Sequence, residues 1–530
     1  MIAESTGTDP SQPPPESVAH PRPTGSRPIE LVVRTVAAIS GALLIAVAFP
    51  PFHLAFLAPV GVAVTTGAWW RASRWTAVGT GVIAGIAFNL VLLRWISVLG
   101  IDAWLALSLV MGLWWILMAL GVAAITWWRW WPVGVASMWV LQEALRGRVP
   151  WGGFPWGRLA FAQTDSTFTA WASLFGAAAV TAVTALVGAL MLLVVRALRQ
   201  QEWQGAVAGA IGAVAITVLG ALIPLPTAGQ GAPDRSTLAV VQGGVPRVGL
   251  DAMAQRRAVL NNHVNATLEL AEQVAAGKQP APAAVIWPEN SSDVDPYVDP
   301  MAIAGINEAA SAIGVPILVG AVLAAPTDGL WNVGIVWNPG FGPADFYIKQ
   351  HPVPFGEYLP GRDLLTRLIS RFERVPKDFL PGDRPGVLML NDVRIGDVIC
   401  FEIAYDAVVR DVVRAGGRVL VVQTNNATYG GTAQPAQQVA MSQLRAVEHG
   451  RAVVIAATSG ITAVVAPDGR IVAQLPEFVS DSLVVDVPLR DDLTLASRLT
   501  IWPEVLISVL ALLGWVAGAR ERRRRIRSNA

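Results

Sequence analysis

From position 31 to 225 the chain is almost continuously apolar, and the polar interruptions recur at about the length of a membrane span. The run 35–70 contains Pro50 and Pro51, which cannot continue a helix cleanly, so it predicts two spans. Runs at 76–99, 103–127, 131–145, 168–195 and 205–224 each approach the roughly 20 apolar residues that cross a hydrocarbon core. Seven helices are therefore expected before Pro226, and a run at 501–519 makes an eighth. In between the pattern changes. Short β-branched runs at 238–241, 284–287, 316–323 and 418–423 alternate with helical periodicity at 252–276, 301–313, 404–415 and 435–450. That is an α/β pattern. The chain thus divides into a polar tail (1–30), a seven-helix region (31–225), an α/β domain (226–499), an eighth helix (500–519) and a basic tail (520–530). No internal repeat of fixed period is visible.

Composition sharpens this picture. With 53% hydrophobic and only 15% charged residues, the chain is too apolar for an ordinary soluble globule. The tail 1–30, rich in Pro, Ser, Thr and Gly, reads as disordered and too polar for a secretory signal. A net charge of +1 without a basic stripe gives no footing for nucleic acid. Cys400 is the one cysteine, which excludes an internal disulfide and a multi-cysteine zinc site. Five histidines without close pairing argue against a His-based metal site.

Arginines set the orientation, because positive residues near span ends stay cytoplasmic. Arg71, Arg74, Arg129, Arg196 and Arg199 mark alternate loops, and Arg22, Arg27, Arg34 and the tail after Arg520 mark both ends. Both termini are expected inside the cytoplasmic membrane and residues 226–499 on the extracytoplasmic face. Arg146, Arg148 and Arg158 break the rule in an outer loop, where anionic head groups or a plain interfacial position would account for them. Tryptophans at span ends, among them Trp69, Trp70, Trp127, Trp128, Trp130 and Trp131, read as interfacial anchors.

Three stretches put a reactive residue at or just after an apolar strand: Val285-Ile286-Trp287-Pro288-Glu289, Phe346-Tyr347-Ile348-Lys349 and Asp397-Val398-Ile399-Cys400-Phe401-Glu402. Strand ends are where α/β sites are built. A thiol, a base for its proton and a cation for the oxyanion are what covalent acyl transfer requires. Glu289, in a partly apolar pocket, is expected to be the base. Lys349 is expected to favour the thiolate of Cys400 and, with backbone N–H groups after it, to stabilise the oxyanion.

These motifs resemble the nitrilase superfamily, and together with the helices they resemble its membrane-embedded branch, the apolipoprotein N-acyltransferase family. The likeness runs from about 34 to 519. It includes Arg146-Gly147, Gly153-Phe154-Pro155-Trp156, Val241-Gln242-Gly243, His351-Pro352-Val353-Pro354-Phe355-Gly356-Glu357-Tyr358, Gly460-Ile461-Thr462-Ala463 and Pro467-Asp468-Gly469. The resemblance implies an αββα sandwich on eight transmembrane helices, with Glu357 and Glu402 as supporting carboxylates. It also implies a phospholipid acyl donor, a thioester at Cys400, a diacylglyceryl-modified apolipoprotein as acceptor, and no metal or dissociable cofactor. The chain departs from the family at Asn426 and Thr428, where many relatives carry an acidic residue and a tryptophan. It departs again at Thr458-Ser459-Gly460, where paired asparagines are usual. The segment 355–379, apolar residues among charges, predicts an arm over the entrance or an amphipathic element packed on the sandwich. A membrane-tethered amidohydrolase would use the same triad and is the competing function.

Overall fold

The computed structural model describes residues 27–225, 234–245, 257–368 and 377–528. Helices α1 (Arg27–Ala46), α2 (Leu57–Trp69), α3 (Arg74–Leu92), α4 (Ile101–Ile125), α5 (Trp131–Arg146), α6 (Ala172–Arg199) and α7 (Trp203–Leu222) come first. Their bundle is joined by the last helix of the chain, Trp502–Ser528. Six of these eight are long and apolar enough to cross a membrane. The other two, α2 with 13 residues and α5 with 16, reach only ~20 and ~24 Å at the helical rise. Nearly every residue of α5 is buried, so it lies inside the bundle and need not match the bilayer thickness. Small residues let the helices approach closely: a Cβ on Gly85 of α3 would lie 2.4 Å from the Gly112 carbonyl oxygen of α4.

Three expectations need correction. Residues 27–30, assigned to the tail, already belong to α1, while 1–26 lie outside the described residues. The basic tail is helical to Ser528, because arginine is a good helix former and Glu521 supports Arg525 one turn on, at 2.8 Å. Trp69 and Trp131 are buried in the bundle rather than set in an interfacial belt.

The α/β domain consists of two six-stranded sheets. The first has the order β12 (Asp481–Leu489), β1 (Asp234–Gln242), β2 (Ala284–Ile286), β3 (Ile317–Ala324), β4 (Leu330–Asn338), β5 (Gly342–Ile348). The second has the order β11 (Ile471–Gln474), β10 (Ala463–Val465), β9 (Val453–Ala457), β8 (Val419–Thr424), β7 (Val393–Ile399), β6 (Val387–Leu390). Read from β12 and from β6, both sheets pair antiparallel, parallel, parallel, antiparallel, antiparallel. The topology is duplicated although no repeat shows in the sequence, since pairing depends on alternation and register rather than on residue identity.

Helices complete the layers. Leu238, Ile286 and Leu318 of the first sheet meet Ile395, Val421 and Val454 of the second. Helices α8 (Ala258–Ala275) and α9 (Pro300–Ile313) cover the outer face of the first sheet. Asp299 caps α9 by accepting from the Met301 and Ala302 N–H groups, Pro300 opens it, and Gly314 closes it in the left-handed region. Short helices α10 (Arg362–Leu368) and α13 (Leu495–Leu499) lie in connections. Helices α11 (Asp406–Arg414) and α12 (Gln434–His449) cover the second sheet, and their other side continues into the core of the bundle. The layers therefore run α, β, β, α, bundle, with the last helix (α14) and α7 carrying the chain across.

Charge pins this junction. Arg158 is 4% exposed. It lies 2.6 Å from Asp406 of α11 and 3.6 Å from both Glu143 of α5 and Glu504 of α14. Arg445 of α12 reaches the other oxygen of Asp406 at 2.6 Å, and Arg148 reaches Glu504 at 2.5 Å. Arg146 donates to the carbonyls of Phe154, Trp156 and Gly157. The three arginines that defied the charge rule thus have protein partners rather than lipid head groups. Removing one member of a buried ion pair costs about 3–5 kcal/mol. Arg158→Met should accordingly lower the unfolding midpoint of the full chain in detergent by several degrees. An unchanged midpoint would show that the cluster does not hold the two parts together.

Candidate active site

Glu289, Lys349 and Cys400 each follow a strand end, of β2, β5 and β7 respectively, so both sheets contribute. The structure brings them together. Lys349 is 2% exposed, and its Nζ donates to Glu289 Oε1 at 3.1 Å and to Glu357 Oε1 at 2.9 Å. Glu289 also accepts from Asn332 Nδ2 at 2.7 Å and from the Asn425 N–H at 2.8 Å. Its pocket is therefore lined with polar donors, not partly apolar as the sequence suggested. Glu357 accepts from Asn332 Nδ2 at 2.9 Å and from the Val353 N–H at 2.6 Å, which makes it a full member of the cluster.

Cys400 opens a 3-10 turn with φ of 56°, in the left-handed region that a side chain occupies at a cost of ~1–3 kcal/mol. The turn lifts the side chain off the end of β7, and the residue as a whole is half-buried against the core between the sheets. Thr424 Oγ1, at the end of β8, lies 3.4 Å from the sulfur and 3.0 Å from Gln438 Oε1, so its single hydrogen serves one of them at a time. Gln438 Nε2 in turn donates to the Cys400 carbonyl at 3.0 Å.

The electrostatics of the cluster are uneven. Burial alone would lower the Lys349 ammonium, but Glu289 and Glu357 outweigh it and hold the group well above its ordinary value. Burial and then the Glu289 charge push the Cys400 thiol up to about 12, against the opposing pull of Lys349. Lys349 thus pulls towards the thiolate in the expected direction, but burial and the Glu289 charge outweigh it. The balance of these influences favours the protonated thiol over the thiolate.

Glu402 sits apart from that cluster. It is fully buried and accepts from the Gln350 N–H at 2.7 Å, the His351 N–H at 3.0 Å, the Ile399 N–H at 2.8 Å and the Tyr347 hydroxyl at 3.0 Å. One carboxylate therefore joins the residues just after Lys349 to the residue just before Cys400. Burial pushes its carboxyl up, while Lys349 and those N–H groups act against that.

Sequence reasoning missed Asn332, Thr424 and Gln438. Asn332 carried a signal, being an asparagine inside the apolar strand β4 and 2% exposed. Thr424 also ends a strand, so the rule that found Cys400 applied to it too. The departures at Asn426 and Ser459 fall nearby: Asn426 Nδ2 donates to Gln434 at 2.7 Å and to Gln438 at 2.9 Å, under the nucleophile rather than at it.

Aromatic rings from both parts of the chain wall the site. Phe401 stacks on Phe154 and Trp156 of the 147–171 connection, and Trp95 packs on Trp156 and on Tyr429. Trp151 and Phe355 meet edge to face at 5.5 Å and are both exposed. Of the segment 355–379, residues 369–376 lie outside the described residues. Its two ends are tied where Asp378 pairs with Arg362 and accepts from the Leu359 N–H at 3.0 Å.

Two family models and many known proteins match the chain. Residues 40–190 match the family described as the apolipoprotein N-acyltransferase N-terminal domain, and residues 237–491 match carbon-nitrogen hydrolase. The apolipoprotein N-acyltransferase of Mycolicibacterium smegmatis is 39% identical over 501 residues, covering 90% of this chain and 83% of that protein. That of Azotobacter vinelandii is 30% identical over 394 residues, 72% of each chain. A solved amidase from Nesterenkonia sp. aligns at 16% identity and a TM-score of 0.35, over 52% of this chain and 95% of that one. By its identity to the Mycolicibacterium smegmatis and Azotobacter vinelandii proteins, the chain belongs to the apolipoprotein N-acyltransferase family.

Proposed function

We propose that this membrane protein moves an acyl chain from a phospholipid, through a thioester on Cys400, to the α-amine of an S-diacylglyceryl cysteine at the start of a lipoprotein. The observation that carries the reading is the buried Glu289, Lys349 and Glu357 cluster beside a thiol on a strained strand-end turn. In the first half-reaction Cys400 Sγ attacks the ester carbonyl while Glu289 takes the thiol proton. Lys349 and the backbone N–H groups after Cys400 balance the oxyanion. Collapse breaks the C–O bond, and Glu289 returns the proton to the leaving lysophospholipid alkoxide. In the second half the lipoprotein amine attacks the thioester, gives its proton to Glu289, and the proton passes to the departing thiolate. Glu357 and Glu402 position the lysine and the nucleophile turn.

Both substrates are anchored in lipid, so a tethered site replaces a three-dimensional search with lateral diffusion. The exposed apolar side chains of α4, α7 and α14, such as Leu109, Ile211 and Leu512, support a bundle sheathed in lipid. Arg71, Arg74, Arg129, Arg196 and Arg199 all cluster at the bundle end remote from the α/β domain. The positive-inside rule then favours an extracytoplasmic catalytic domain.

Purified protein given a labelled phospholipid and a diacylglyceryl-cysteine peptide should add one acyl chain to the peptide amine, read by mass. Cys400→Ser should abolish the product. Release of ammonia from simple amides with no acylated peptide would instead favour amide hydrolysis. Glu289→Gln should move two readouts in opposite directions. Acyl transfer should fall by about 10²–10⁴-fold, the usual share of a general base. Alkylation of Cys400 by iodoacetamide at fixed mildly alkaline pH should become faster, because the carboxylate that holds the thiol proton is gone. Alkylation that slows would contradict the claim that the Glu289 charge holds the proton on the resting thiol, and undiminished acyl transfer would contradict its role as the base.

A further inference from the structure

At the end of the bundle away from the α/β domain, the ends of α2, α4 and α6, the start of α5 and the last turns of α14 enclose a cavity of about 480 Å³. That volume falls within the ~300–1,000 Å³ range of ligand sites. Four arginines line it, Arg71, Arg129, Arg196 and Arg525, against two glutamates, Glu202 and Glu521. Four positive and two negative charges leave a formal excess of +2. Glu521 is already engaged by Arg525 at 2.8 Å.

Two of the arginines are held on indole faces instead of on carboxylates. The Arg196 guanidinium lies 3.7 Å from the ring centre of Trp70, and Arg71 lies 4.4 Å from that of Trp127. Arg71 is fixed further by its left-handed backbone, φ 47°, by its backbone N–H, which donates to Thr126 Oγ1 at 3.0 Å, and by Nε, which donates to the Thr126 carbonyl at 3.4 Å and leaves the two terminal nitrogens for a ligand. Neither arginine has an acidic partner within ion-pair distance among the described residues. Burial, and then Arg525 and Arg196, lower Arg71, so these cations repel one another across the cavity. The Trp127 indole N–H, in the same wall, is buried without a hydrogen-bond partner. Stacking fixes the plane of a guanidinium and leaves its edge donors for an anion, and planar arginine forks suit phosphate oxygens.

We infer that this cavity binds the phosphate-bearing head group of an anionic phospholipid from the leaflet opposite the α/β domain, with the phosphate between Arg71 and Arg196. A lipid is favoured over free phosphate because the wall also holds Leu193, Ala197 and Ala517, apolar surface that suits a glycerol backbone and the start of an acyl chain. The site is distinct from the acyl-donor site, which lies at the other end of the helices. A bound lipid would neutralise the excess charge and join the ends of α2, α4, α6 and α14.

The full chain in neutral detergent, titrated with phosphatidylglycerol, phosphatidylcholine or inorganic phosphate, tests this by native mass spectrometry and unfolding midpoint. Phosphatidylglycerol should bind saturably and raise the midpoint, whereas phosphatidylcholine and inorganic phosphate at equal concentration should not. Arg71→Gln and Arg196→Gln should each weaken phosphatidylglycerol about fivefold, and roughly 25-fold together. Arg523→Gln with Arg524→Gln, on the exposed face of the tail, should leave it unchanged. Equal losses in the tail and cavity variants, undiminished binding in the cavity variants, or an equal response to inorganic phosphate would overturn the assignment. Should Arg71→Gln fail to fold, Arg196→Gln alone carries the test, since its backbone is ordinary helix.

Discussion

Helix α12 is the wall that the helix bundle and the second sheet share, and two adjacent glutamines in it set the height of Cys400. Gln437 faces the bundle. Its oxygen accepts from the indoles of Trp95 at 3.1 Å and Trp156 at 2.7 Å, and its nitrogen donates to the carbonyls of Pro50 at 3.1 Å and Leu92 at 3.2 Å. Gln438 faces the site and holds the Cys400 carbonyl, Thr424 and Asn426. A buried amide that satisfies all its donors and acceptors is stiff, because any shift leaves a polar group unpaired in a low-dielectric interior. The thiol is thus referenced to the ends of α1 and α3 through one peptide unit, and the Arg158 cluster keeps the same two bodies from rocking.

Against that fixed background the chemistry depends on charges that are tolerable only in company. Lys349 in isolation could not stay buried as an ammonium, and Glu289 and Glu357 without it would face each other as like charges. Together they leave one more negative charge than positive beside Cys400. That excess, together with burial, opposes ionisation of the thiol. In the proposed reaction the proton therefore moves to Glu289 only when an ester carbonyl has arrived and charge develops on its oxygen near Lys349.

The bundle was largely readable in the sequence because apolar runs of span length need no tertiary information. Strands β1, β2, β3 and β8 and helices α9, α11 and α12 were readable for a similar local reason. Residues 252–256 of the predicted helix around α8 lie outside the described residues. The reactive stretches around Glu289, Lys349 and Cys400 stood out because each places a chemically unusual residue at the end of an apolar strand. What could not be read depends on distance along the chain. Arg158 meets Asp406 across 248 positions, so its neighbours offered no hint of a partner. Trp69 and Trp131 look like belt residues until the packing of α2 and α5 inside the bundle is known. The four-residue strands β6 and β11 are too short for alternation to register.

The defining claim is that the acyl chain passes through a covalent bond to Cys400. Protein incubated with phospholipid in the absence of any acceptor, then digested and weighed, addresses it directly. The peptide containing Cys400 should carry the mass of one acyl group and lose it on treatment with neutral hydroxylamine. An unmodified Cys400 peptide from protein that still acylates acceptor peptides would contradict a thioester route.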